Sequence, residues 1–244
     1  MGCGLRVGNL TTQATGVPEP VGKLETSAGD FSLKDYRLRA GGREWAVWHT
    51  GAVLTRADEN RVIGEKDVCL PYGVALWPSA LALAHEVASR PAEFAGRSVL
   101  ELGAGTGLPG IVAATLNARV VQTDRDELSL HLARRNAARN GVEAIDQRPA
   151  DWTAWDLTER HDWVIGSDIR YGESLHPDLR RIFEASLLEG GRVLVADPFR
   201  PMVMRFFEAL EADGWGDRFN LWDVGEEGSF RPVGVFELTP PVGR

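Results

Sequence analysis

Glu101-Leu102-Gly103-Ala104-Gly105-Thr106-Gly107 is the stretch that decides the fold. Ahead of it, residues 98–102 make a short, largely apolar run suited to a buried strand. Behind it, residues 108–116 read as an apolar helix closed by Asn117. A strand that passes through a glycine loop into a helix lets the backbone turn sharply and approach a ligand beside the helix N-terminus. The spacing is G-x-G-x-G preceded by an acid. The third glycine of a G-x-G-x-x-G dinucleotide fingerprint would fall on Leu108, so that fingerprint is broken.

The same alternation continues outward. Residues 119–123 read as a second strand and 126–140 as a helix stopped by Gly141. A weaker third strand covers 145–149, and Trp163-Val164-Ile165-Gly166 is a fourth. Leu179, Ile182, Phe183 and Leu187 mark the next helix, and residues 192–196 a fifth strand. Pro201 opens a helix with Val203, Phe206, Phe207 and Leu210 inward and Gly214 at its end. Residues 215–223 and 230–238 finish as two strands with no helix between them. Repeated β–α units require right-handed crossovers and a parallel sheet, while the short connection at 225–228 makes the last two strands antiparallel. The expected fold is α/β, a doubly wound seven-stranded sheet ending in an antiparallel hairpin.

Upstream, Trp77-Pro78 starts a helix with Ala80, Leu83, Ala84 and Val87 on one face, ended by Pro91. Tyr36-Arg37-Leu38-Arg39 and Trp45-Ala46-Val47-Trp48 alternate about Gly41-Gly42, which reads as a β-hairpin. Residues 1 to about 30 are rich in Gly, Thr and Pro and read as a loose lead-in. The expected division is a flexible segment at 1–30, a β extension at 31–70 and one catalytic-sized domain at 71–244.

With 244 residues, 43% apolar and 25% charged, the composition is that of an ordinary soluble domain. A net charge of −8 counts against sequence-independent nucleic-acid binding, which needs a basic face. Two cysteines, Cys3 and Cys69, make neither a disulfide framework nor a Cys-rich zinc site and fit a reducing cytoplasm. The five histidines show no ligand spacing, so no metal is expected. No apolar run approaches the roughly 20 residues of a membrane helix, and residues 1–20 lack the apolar stretch of a signal peptide. Arg6 stands where a myristoylation signal has Ser or Thr.

Asp124 follows the first glycine by about 20 residues, where a doubly wound fold places the acid that binds ribose hydroxyls. Asp126 fits the N-cap of the following helix better, which leaves Asp124 free for the ribose. Asp151-Trp152 follows the third strand at the rim; the indole either stacks on a base or belongs to the core. Gly166-Ser167-Asp168-Ile169-Arg170-Tyr171 ends the fourth strand, so Asp168 either faces reacting atoms or caps a turn.

Taken with Trp77-Pro78-Ser79-Ala80 and Leu108-Pro109-Gly110-Ile111, these motifs resemble the seven-β-strand, class I S-adenosylmethionine-dependent lysine methyltransferases, often described as nicotinamide N-methyltransferase-like. The resemblance spans about residues 70 to 238. It implies a Rossmann-like methyltransferase domain at 71–244 and S-adenosyl-L-methionine as cofactor. The implied cofactor contacts are Trp77, Glu101, Gly103, Ala104, Gly105, Asp124, Trp152 and Ser167, and the implied catalytic pair is Asp168 with Tyr171. Asp197-Pro198-Phe199-Arg200-Pro201 looks like the D-P-G-R segment of the electron-transfer-flavoprotein β-subunit lysine methyltransferase branch, with Phe199 in place of Gly. No N-P-P-Y tetrad ends the fourth strand and no Pro-Cys pair occurs, which disfavours methylation of adenine, glutamine or cytosine.

The expected function is methyl transfer to a protein lysine by a cytoplasmic monomer that uses neither nucleic acid nor a membrane as partner. The alternatives are a small-molecule N-methyltransferase, a nicotinamide-dinucleotide enzyme, and a nucleoside-binding protein without catalysis. Calorimetry is expected to show binding of S-adenosylhomocysteine and none of NAD. The reverse outcome, micromolar NAD binding with none for the methyl-donor pair, would end this assignment.

Overall fold

The computed structural model describes residues 7–11, 21–25, 30–52, 72–169, 172–226 and 229–241. Strands β1 (Val7–Thr11), β2 (Gly22–Leu24), β3 (Phe31–Ala40) and β4 (Arg43–His49) precede helices α1 (Pro78–Ala88) and α2 (Pro91–Phe94). The alternating part follows as β5 (Ser98–Leu102), α3 (Leu108–Thr115), β6 (Arg119–Asp124), α4 (Glu127–Arg139), β7 (Asp146–Pro149), β8 (His161–Ser167), α5 (His176–Ser186), β9 (Leu187–Asp197) and α6 (Pro201–Ala212). Strands β10 (Gly216–Glu226) and β11 (Ser229–Thr239) close the chain.

The main sheet has the order β1-β10-β11-β9-β8-β5-β6-β7. Strands β9, β8, β5, β6 and β7 are parallel neighbours, and β11 runs antiparallel between β9 and β10. Both faces of the centre are covered, as a parallel sheet requires. Val99, Ile165 and Leu194 pack with residues of α1 and α3. Leu100, Val164 and Val193 pack on the other side with α5 and α6. The sheet reverses its winding at β5: β6 lies to one side and β8 to the other, so a crevice opens at the carboxyl ends of these strands.

Several boundaries differ from expectation. Residues 1 to about 30, read as a flexible lead-in, supply two strands: β1 pairs parallel with β10, and β2 pairs with β3. Strand β10 would otherwise be an edge with unpaired N–H and C=O groups, and β1 takes them up without needing an apolar sequence of its own. The main sheet therefore has eight strands, the seven expected plus β1. Strand β9 begins at Leu187 rather than 192, because Leu187 pairs with His161 across a register shift in β8. Pro91 ends α1 as expected and also opens α2. No described helix is long and apolar enough to cross a membrane.

The β3–β4 hairpin turns at Gly41 (φ 57°) and Gly42 (φ 75°), between the paired residues Ala40 and Arg43. A two-residue turn of this hand requires positive φ at both positions, which glycine adopts without steric cost. Strand β4 then docks on α4 through two asparagines. The Asn136 Oδ1 accepts from the Trp48 N–H (2.7 Å) and its Nδ2 donates to the Trp48 carbonyl (3.0 Å). Asn140 repeats the pattern on Ala46, at 3.0 and 2.8 Å. The match is geometric: four residues rise about 6 Å along a helix and two residues about 6.7 Å along a strand. Two side-chain amides therefore imitate a neighbouring strand. The guanidiniums of Arg135 and Arg139 lie over the Trp48 ring at 4.9 and 4.8 Å, and Arg139 pairs with Asp35 at 2.6 Å.

Asn136 also donates to the Thr106 carbonyl (2.9 Å), so the hairpin and the glycine loop share one buried side chain. Asn136→Ala leaves the Trp48 and Thr106 groups without this partner, at about 1–3 kcal/mol per buried group left unsatisfied. Urea unfolding is expected to show a loss of about 3 kcal/mol, and a smaller one for the half-buried Asn140→Ala. Equal and negligible losses in both variants would show that the amides do not hold the hairpin.

Candidate active site

The glycine loop crosses the carboxyl end of β5 with Gly103, Gly105 and Gly107 at φ 64°, 54° and 81°. At Gly105 a side chain would also be blocked, since a Cβ there would stand 2.8 Å from the Gly73 carbonyl oxygen. At Gly103 a Cβ would press on Ile169 (3.2 Å) and on the Trp152 ring (3.4 Å). The loop is thus shaped from both sides, by the 72–74 turn and by Trp152.

Asp124 ends β6 and is 8% exposed. Its Oδ2 accepts from the Gly105 N–H and its Oδ1 from the Asp126 N–H, both at 3.0 Å. Burial raises its pKa, with the Asp126 and Gly105 N–H groups pulling the other way. Asp126 caps α4 through the Leu128 N–H (3.1 Å), as expected. Ala104 is held by its N–H on the Thr123 carbonyl (2.9 Å).

Glu101 lies behind the loop rather than on its open side. It is 1% exposed, and its Oε2 accepts from the Gly110 N–H in α3 (3.2 Å) and from Gln122 Nε2 (2.7 Å). Gln122 Nε2 also donates to the Gly107 carbonyl (2.9 Å), so the acid braces the loop through its neighbours. Burial pushes the Glu101 carboxyl up to about 8, against the Gln122 and Gly110 hydrogen bonds.

Trp152 is half-buried: it packs against the core on the α5–α6 face while its ring edge borders Gly103. Asp151 is exposed and caps its own turn, accepting from the Thr153 hydroxyl (2.8 Å) and N–H (2.9 Å), which hold its carboxyl below the usual range. Trp77 precedes α1 and donates from Nε1 to the Tyr72 carbonyl (3.0 Å), its ring stacked on Tyr72 at 6.4 Å. Ser167 ends β8, half-buried, opposite Ala196.

Asp168 follows with φ 54°, its N–H on the Ala196 carbonyl (3.1 Å). One carboxylate oxygen, Oδ1, accepts from the Arg200 guanidinium. The other, Oδ2, is buried and has no hydrogen-bond partner among the described residues. Tyr171, the other expected catalytic residue, lies outside the described residues. Arg200 and Asp197 were not among the candidate site residues. The available signal was their position at the carboxyl end of the fifth strand, on the same rim as Asp168.

This donor set fits a nucleoside: two glycines without side-chain room, a buried acid at the end of β6 and an indole edge beside the loop. Residues 103–107 include no Lys or Arg to answer a di- or triphosphate. No group of three His, Cys, Asp or Glu placed to hold a metal ion occurs among the described residues.

A profile of the lysine methyltransferase family matches residues 57–213. Protein N-lysine methyltransferase METTL21A of Xenopus tropicalis is 39% identical over 119 residues, which cover 47% of this chain and 55% of that protein. The chain thus spans about half the length of that relative. Protein-lysine methyltransferase METTL21E of Mus musculus is 30% identical over 178 residues, 67% of this chain and 69% of that one. Among solved structures, Pyrococcus abyssi tRNA (uracil-54, C5)-methyltransferase in complex with S-adenosyl-L-homocysteine shares the fold, with a TM-score of 0.55 at 18% identity, covering 86% of this chain and 45% of that one.

The raised Glu101 pKa has a measurable consequence. Below about 4.5 the acid is protonated folded and unfolded alike; between about 4.5 and about 8 only the folded state keeps the proton, so the stability it adds is lost progressively as the pH rises and is gone above about 8. Thermal melts from about pH 5 to about pH 9 are expected to show a shallower decline for Glu101→Gln than for the wild type. Identical slopes would mean that Glu101 holds its proton no more tightly in the folded state than in the unfolded chain.

Proposed function

Because the chain belongs to the lysine methyltransferase family, we propose that it methylates the side-chain amine of a protein lysine with S-adenosyl-L-methionine as donor. The observation that carries this is the meeting, at the carboxyl ends of β5, β6 and β8, of the Gly103–Gly105 turn, Asp124 and the unpartnered oxygen of Asp168. The donor supplies a methyl group on a cationic sulfur. Everything else falls to the chain: to bind the nucleoside, align the acceptor and keep water from the reacting atoms.

Gly103, Ala104 and Gly105 offer bare backbone to the nucleoside. Asp124 serves its ribose through the lone pairs that the Gly105 and Asp126 N–H groups leave open, and Trp152 flanks its base. Trp77 and Ser167 border the same crevice, and Glu101 acts from behind as a positioning residue. The acceptor amine must reach the site as the free base, since an ammonium has no lone pair. Asp168 Oδ2 accepts a hydrogen bond from that amine and fixes its direction, and Tyr171 walls the channel. A protein substrate, a cytoplasmic location and a monomeric state complete the proposal; the two cysteines in the whole chain suit a reducing compartment.

A cell lysate incubated with the enzyme and isotopically labelled methyl donor is expected to acquire label on lysine residues, read by mass spectrometry. Asp124→Ala should weaken S-adenosylhomocysteine binding by about 1.5–3 kcal/mol. Asp168→Asn should slow methylation by roughly 10²–10⁴-fold with far less change in cofactor affinity. Label confined to free small amines would favour the small-molecule reading, and a fully active Asp168→Asn enzyme would remove the catalytic role of that acid.

A further inference from the structure

We propose that Arg200 is the positioning residue for Asp168: its guanidinium occupies Oδ1 and thereby presents Oδ2 as the one acceptor that the incoming amine meets. This rests on the role of Asp168 proposed above. The Arg200 NH1 donates to Asp168 Oδ1 and to Asp197 Oδ2, the latter at 3.0 Å. The Arg200 backbone N–H adds a third bond, to Asp197 Oδ1 at 2.9 Å. Asp197 is wholly buried, so one guanidinium nitrogen lies between a fixed carboxylate and the one at the rim. With Oδ1 taken, Oδ2 is the one carboxylate oxygen without a partner among the described residues, and because it is buried an amine reaches it only by displacing what covers it.

The backbone around the cluster is held in strained conformations. Three described non-glycine residues have positive φ: Asn117 at the end of α3, where such a conformation is ordinary, and Asp168 (54°) and Phe199 (60°) on either side of this ion cluster. Strain of this kind persists only where the surroundings over-determine it, and it gathers at working sites. The surroundings are visible for Phe199, whose ring packs edge-on against Phe236 (5.6 Å) and Phe219 (5.9 Å). A Cβ on Gly234 would come within 2.9 Å of it. The anchored ring thus keeps a glycine-like turn without glycine, and that turn brings Arg200 back over Asp197.

Without the guanidinium, two carboxylates would share a largely buried space, and Asp168 would rotate toward water.

Crystal structures of Arg200→Met and Arg200→Lys test the positioning directly. Asp168 is expected to leave its wild-type rotamer in the first and keep it in the second. In the lysate assay with labelled donor, Arg200→Met should be about 10²-fold slower, the scale of a misplacement near 1 Å. S-adenosylhomocysteine affinity should stay within about threefold, and Arg200→Lys should recover part of the rate. Because Arg200 acts through Asp168, the Asp168→Asn, Arg200→Met double variant should be no slower than Asp168→Asn alone. An unmoved Asp168 in Arg200→Met, or losses that multiply in the double variant, would overturn the proposal. If Arg200→Met fails to fold, Arg200→Lys with Asp168→Asn completes the same cycle. A wild type that labels no protein speaks against the lysine reading, while the rotamer comparison still decides the role of Arg200.

Discussion

Asp124 ends β6 with its two carboxylate oxygens bonded in different directions, Oδ2 to the Gly105 N–H in the glycine loop and Oδ1 to the Asp126 N–H at the head of α4. Because the group is buried, neither bond has water as a ready substitute. The loop after β5, the end of β6 and the start of α4 are therefore held at fixed spacing by a single residue. That spacing is the shape of the crevice, so the placement of Trp152, the 72–74 turn and the rim of β8 all take their meaning from it.

The loop is restrained from several sides besides. Asn136 holds the Thr106 carbonyl, Gln122 the Gly107 carbonyl, and Glu101 the Gly110 N–H. A loop of bare glycine backbone has no side chains of its own to correct a poor fit. Its affinity depends on backbone groups being in place before the ligand arrives. The buried amides and the protonatable Glu101 behind the loop supply that rigidity. Asn136 extends it to the N-terminal hairpin, which becomes part of the frame of the site.

The rim at the ends of β8 and β9 is held differently. There the order comes from charge and from backbone strain: Asp168 and Phe199 in left-handed conformations, Arg200 between two carboxylates, and an aromatic cluster of Phe199, Phe219 and Phe236 that anchors the turn.

What the sequence by itself determined is whatever is periodic or local. The apolar runs of β5, β8 and β9, the stripes of α1 and α6, the glycine loop, the Asp126 cap and the Gly41-Gly42 turn are all fixed by residues within a few positions of one another. The family motifs were legible for the same reason. Only the tertiary structure decided the rest. Strand β1 exists because β10 leaves an edge to pair with, which nothing in Val7–Thr11 announces. Nothing near Asn136 in the chain points to Trp48, 88 positions away, against which it is laid. Glu101 looks like a ligand contact from its place in the motif, yet its carboxylate is buried behind the loop. Arg200 and Asp168, 32 positions apart, share a bond only because β8 and β9 are parallel neighbours whose ends meet at one rim. Hydrogen bonds and ion pairs between distant residues leave no period in the chain, and the folded backbone is what brings their atoms within reach.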